Sequence, residues 1–114
     1  MSKYLKLQRA QKGSVTDNWD LNSVTGQHGE GVYCFLHGDK PMADYYSKDG
    51  CNVHSFKVLS IYVKDLSKSK MDFWEAKTFI FNNPQYKAFI FKHSGHGIPT
   101  SKEVLITDQN IIEL

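Results

Sequence analysis

Val32-Tyr33-Cys34-Phe35-Leu36, then His37-Gly38-Asp39-Lys40-Pro41 and Met42-Ala43-Asp44-Tyr45-Tyr46, is the stretch on which the reading of the whole chain turns. Its first five residues are apolar or aromatic and follow Gly29 and Gly31. A run that short, opened by glycines, predicts a buried strand rather than a helix. Asp39 stands where an N-cap belongs, with a carboxylate able to accept from first-turn amides. Pro41 suits a first turn, where its missing N–H leaves no bond unmade, so a helix to about Ser47 is expected. Lys48-Asp49-Gly50 closes it.

Upstream, Tyr4, Leu5 and Leu7 set among Lys3 and Lys6 predict a first strand ending near Arg9. From Gln11 to Gly31 the chain is polar, with glycines at 13, 26, 29 and 31 and few apolar anchors. This reads as a long surface loop with room for one helical turn at Asp17 to Asp20, and loops of such length in small domains are often functional. Downstream, Val53 to Val63 reads as one long strand with room for a bulge. Asp72 to Phe81 reads as a short helix anchored by Phe73 and Trp74 and stopped by Asn82-Asn83-Pro84. Tyr86 to Lys92 and Val104 to Thr107 read as strands around a Gly-containing turn, and Ile111 and Ile112 return to the core. The sum is α+β: one mainly β domain over residues 1–114, with one or two short helices and no βαβ alternation.

A chain of 114 residues fits a single domain with one hydrophobic core. Aromatics reach 13% and concentrate in runs such as Phe79-Ile80-Phe81 and Phe89-Ile90-Phe91, which speak for sheet and core against disorder. The net charge of +2 is spread along the chain. Its one basic cluster, Lys64 to Lys70, reads as a solvated loop, so charge does not nominate nucleic acid as a partner. No apolar run approaches the ~20 residues of a membrane span, and the segment from Met1 to Leu7 has no apolar leader. A cytoplasmic monomer is expected, with Cys34 and Cys51 as free thiols because no CxxC spacing or secretory context argues for pairing. The glycines of Gly26-Gln27-His28-Gly29-Glu30-Gly31 do not join a strand to a helix, so they are no Rossmann fingerprint, and no P-loop is present. His93-Ser94-Gly95-His96 lacks a nearby Cys or carboxylate and reads as a polar turn rather than a metal site.

The order of these pieces resembles the ADP-ribosyltransferase family. Gly29-Glu30-Gly31-Val32-Tyr33-Cys34-Phe35 is similar to that family's Gly-x-Gly-Ile-Tyr-Phe strand, and Met42-Ala43-Asp44-Tyr45-Tyr46 to the Ala-x-Tyr helix of its poly(ADP-ribose) polymerase and diphtheria-toxin branch. Tyr86 to Phe91, a Gly-containing turn and Glu103-Val104-Leu105-Ile106-Thr107-Asp108 resemble the last strands of small phage-associated members. Leu7-Gln8-Arg9-Ala10 resembles the Arg-bearing first strand of the toxins. The resemblance runs from about Tyr4 to Leu114 and implies a split-sheet fold that uses NAD as substrate. It departs where the paired-tyrosine branch carries His on the first strand and this chain carries Arg9, with Lys12 the alternative occupant of that place. Ser101 stands where arginine-modifying members carry Gln or Glu, which argues against an arginine acceptor.

The resemblance implies roles. Glu103, Tyr33 and Arg9 would be catalytic; Arg9, Ala10, Gly31, Tyr33, Tyr45 and Tyr46 would hold NAD. Transfer of ADP-ribose passes through an oxocarbenium-like state, as glycoside cleavage does, which a carboxylate such as Glu103 would stabilise. Tyr33 and Tyr45 would sandwich the nicotinamide, whose cationic ring suits aromatic faces; of Tyr45 and Tyr46, one faces the core and the other the site, with Tyr45 preferred for the site. Arg9 would face the pyrophosphate or fix a ribose. The implied activity is transfer to a macromolecular acceptor, taken as a host or cellular protein, in the host cytoplasm if the chain is phage-encoded. The alternative is a catalytically degenerate member acting as a protein-binding or inhibitory module. An RNA 2′-phosphotransferase of the same fold would need more basic residues than Arg9 and scattered lysines.

Overall fold

The computed structural model describes residues 3–11, 31–92 and 102–114. The expected loop turn at 17–20, Lys12, the glycines at 13, 26 and 29, and the His93–His96 turn lie outside the described residues. Six strands and two α-helices follow in the order β1 (Tyr4–Gln11), β2 (Val32–Leu36), α1 (Lys40–Lys48), β3 (Asn52–Leu59), β4 (Val63–Asp65), α2 (Phe73–Asn82), β5 (Ala88–Lys92) and β6 (Lys102–Ile106). The chain is thus a small α+β domain dominated by one mixed sheet of order β3-β1-β2-β6-β5-β4. β2 stands where expected, and α1 is capped as expected, the Asp39 carboxylate accepting from the Met42 amide at 3.3 Å.

Three expectations are corrected. Val53 to Val63 is not one strand: a 3₁₀ turn at Ser60–Tyr62 divides it, and its halves pair at opposite edges of the sheet. The largely apolar run from Val58 to Val63, broken only by Ser60, hid this corner. β4, α2 and β5 form a βαβ unit, because β4 and β5 pair in parallel and a parallel neighbour needs a crossover. Trp74 does not anchor α2; it is 70% exposed, while Ala76, Phe79 and Ile80 carry the buried stripe. The Phe73 side chain lies outside the described residues.

The three-residue corner dictates the shape of the sheet. Three residues of 3₁₀ helix span roughly 6 Å, whereas five strand-to-strand steps in a flat sheet separate the edges by roughly 24 Å. The sheet therefore curls until β3 and β4 approach each other. Its inner face holds one continuous cluster fed by all six strands: Leu7, Val32, Cys34, Phe56, Ala88 and Val104 among the buried members, Val63 of β4 beside them, and Ile111 and Ile112 packed on as expected. On the other face α2 covers β5 and β6 through Ala76 and Phe79 against Phe89 and Leu105. Tyr46 of α1 stacks on Phe35 of β2. Glu113 pairs by both backbone bonds with Lys57, so the outer edge of β3 is covered at that point.

Candidate functional site

β1 and β3 stay registered over eight positions, from Tyr4↔Leu59 to Gln11↔Asn52, but β1 and β2 share only Leu7↔Leu36 and Gln8↔Phe35. Beyond Gln8 the ladder between β1 and β2 ends, and within the one sheet an opening in the backbone pairing lies between their far ends. Backbone polarity fixes what faces it. The His37 amide donates to the Lys6 carbonyl, so even-numbered residues of β1 and odd-numbered residues of β2 turn their polar backbone toward each other. Past the parting, the backbone of Ala10 and the carbonyl of Tyr33 therefore face the opening.

Arg9 bridges it. Its Nη1 donates to the Tyr33 carbonyl, meeting an acceptor that the departing β1 no longer serves. Its Nε donates to Gln11 Oε1 at 3.1 Å. The residue is 4% exposed, and Gln11 is likewise buried, so the guanidinium is held rather than left to rotate in solvent. Gln11 escaped the sequence reading. Its signal was position: two residues from Arg9 in a strand, hence on the same face.

Glu103 lies on β6, one strand beyond β2, which borders the opening on its other side. It pairs with Phe35 of β2 on one side and Phe91 of β5 on the other, and its Oε1 is shielded from solvent. Tyr33 stands two residues from Phe35 and so on the same face as Glu103, packed against the cluster of Phe89 and Leu105. The carboxylate and Tyr33 thus belong to one side of the molecule. Of the two helix tyrosines, Tyr46 is set over Phe35, ring centroids 6.1 Å apart, with Tyr45 edge-on to it at 5.2 Å. Gly31 has a structural duty: at its φ of +152° a Cβ would fall 2.5 Å from the Ile106 carbonyl oxygen. A side chain there would push β2 off β6.

Electrostatics ties the two sides together. The Tyr46 phenol is held above its ordinary value, first by burial and then by the Glu103 carboxylate, with Arg9 opposing. Burial pushes the Cys34 thiol well up, Arg9 opposes this, and Glu103 adds to it. Both charges act on the same two groups, so the cation and the carboxylate occupy one neighbourhood. Alternation starts Arg9 on the inner face and Glu103 on the outer one; the parting of β1 from β2 is what lets the guanidinium reach the seam between them.

Cys34 and Cys51 are unbridged, as expected, Cys34 buried and Cys51 half-buried. A maleimide is expected to modify Cys51 in the native protein and Cys34 ~10³-fold or more slowly, through opening of the fold; mass spectrometry of the labelled peptides reads this. Because the Cys34 and Tyr46 values are raised, their contribution to stability is fully present below the ordinary thiol value of about 8.5 and falls as pH rises beyond it.

No group of three His, Cys, Asp or Glu side chains arranged to hold a metal occurs among the described residues. No helix among them is long and apolar enough to cross a membrane. Compared with protein-family models, curated proteins and solved structures, the chain matches none.

Proposed function

We propose that the chain is an NAD-dependent ADP-ribosyltransferase with a split-sheet fold, acting on a macromolecular, protein acceptor. The observation that carries the reading is the opening between β1 and β2, with the backbone of Ala10 facing it, Arg9 across it and Glu103 one strand beyond its β2 side. A carboxamide presents one acceptor and one donor group, the complement of a peptide unit on a strand edge. The nicotinamide amide therefore suits the Ala10 backbone, as an added strand would. Arg9 supplies a cation that does not titrate, placed for the pyrophosphate or a ribose hydroxyl. Glu103, half-buried between Phe35 and Phe91 with its Oε1 shielded from water, holds negative charge where the field is less screened than in open solvent. NAD supplies a cationic leaving group, and the carboxylate favours the positive charge that grows on the ribose as that group departs.

Tyr46 beside Phe35, with Tyr45 edge-on to it, provides aromatic surface for the flat ring. Incubation with NAD labelled in its adenylate moiety, with a cell extract as the source of acceptor, is expected to release nicotinamide and to label protein. Loss of both in a folded preparation defeats the enzyme.

One observation favours the second reading, a catalytically silent protein-binding module of the same fold. Tyr33 is packed into the α2 cluster and Arg9 is engaged by Gln11 and the Tyr33 carbonyl, a site already filled by its own residues. NAD-dependent thermal stabilisation separates the two, since such a module need not bind the dinucleotide.

A further inference from the structure

His54 of β3 is the direct cross-strand partner of Arg9, and alternation puts its imidazole on the same face as Arg9 and Gln11. Its Nε2 is shielded from solvent and makes no hydrogen bond to the described residues. A buried imidazole nitrogen without a partner is costly, and such an atom beside a candidate site points to a group that arrives later. Nothing in the sequence singled it out: a lone histidine in an alternating strand reads as half-buried surface.

We propose that His54 Nε2 bonds a ribose hydroxyl of the dinucleotide, making His54 a positioning residue of the β1–β3 lip; this rests on the NAD reading above. Arg9 already supplies a cation at this point, and what Nε2 adds is one directional hydrogen bond. Either tautomer serves, because a hydroxyl both donates and accepts. A ligand spanning the opening would then be held by His54 and Arg9 on one side and meet Glu103 beyond β2 on the other, which sets the reacting ribose toward the carboxylate.

The test compares wild type, His54→Leu and His54→Gln by NAD titration calorimetry and thermal unfolding without ligand. Leu removes the orphaned nitrogen and keeps apolar volume, so the ligand-free variant should melt no lower than wild type. Its NAD affinity should fall about tenfold, the worth of one lost hydrogen bond. Gln, whose amide nitrogen can reach the place of Nε2, should recover most of that loss. In wild type with ¹⁵N-labelled histidine, the Nε2 resonance of His54 should move on NAD addition. NAD binding that is equal in wild type and His54→Leu, or an unmoved resonance in NAD-bound wild type, overturns the role of His54 and leaves the enzyme reading standing. Wild type that binds no NAD removes both. Should His54→Leu fail to fold, the Gln variant and the resonance still decide.

Discussion

Glu103→Gln is expected to leave the domain folded and to lower nicotinamide release by about 10²–10³-fold. The substitution keeps the shape of the side chain and removes its charge. The carboxylate stands between Phe35 and Phe91 in the strand register, and the amide fills the same volume there, so the fold should be kept. On the proposed reading the charge acts where positive charge grows on a ribose during reaction, so the loss falls on rate. A second measurement tells whether the geometry or the chemistry is at fault if activity persists. Glu103 helps hold the Tyr46 phenol above its ordinary value, after burial, so in Glu103→Gln the Tyr46 titration should move down. A downward move with unchanged nicotinamide release would leave the neighbourhood intact and remove Glu103 from catalysis. No move at all would break the neighbourhood itself.

The sequence made some of this legible and concealed the rest, for physical reasons that differ by element. β2 and α1 were readable because their signals are local: a short apolar run behind glycine, then a carboxylate cap and a first-turn proline. β3 and β4 were not, because Val58 to Val63 is apolar on both sides of a corner whose two halves pair at opposite sheet edges. Hydrophobicity alone carries no mark of a change of pairing partner. The βαβ unit was missed for the same reason, since β4 has only three residues and vanished into the run before it. At the site, Arg9, Tyr33 and Glu103 were chosen by a family resemblance that leaves their roles a proposal. The opening beside them could not be read at all. It exists because β1 keeps β3 for eight residues while keeping β2 for two, a fact of pairing that no spacing along the chain encodes. Gln11 and His54 enter only once that pairing is known.

Phe89→Ala is expected to cost about 3–5 kcal/mol, enough to remove a large part of a stability that for domains of this kind is about 5–15 kcal/mol. Phe89 is fully buried at the centre of the outer face, registered between Lys64 of β4 and Leu105 of β6. Phe79 of α2 meets it edge-on, ring centroids 6.4 Å apart. Truncation opens a cavity that a strand held on both sides cannot collapse to fill, and it takes from α2 the ring against which the helix is set. Phe81→Ala is the control: it lies on the same helix, 84% exposed, and should stay within about 0.5 kcal/mol of wild type. Urea unfolding followed by far-ultraviolet circular dichroism reads both. A large cost at Phe81 with little at Phe89 would mean that α2 turns its other face to the sheet. Because Tyr33 packs against the same cluster, the Phe89 cavity should also loosen one wall of the candidate site. NAD affinity measured well below the melting temperature should then fall in Phe89→Ala and hold in Phe81→Ala. That pairing of stability with affinity is what the shared cluster demands, since one layer of side chains both fastens α2 and seats Tyr33.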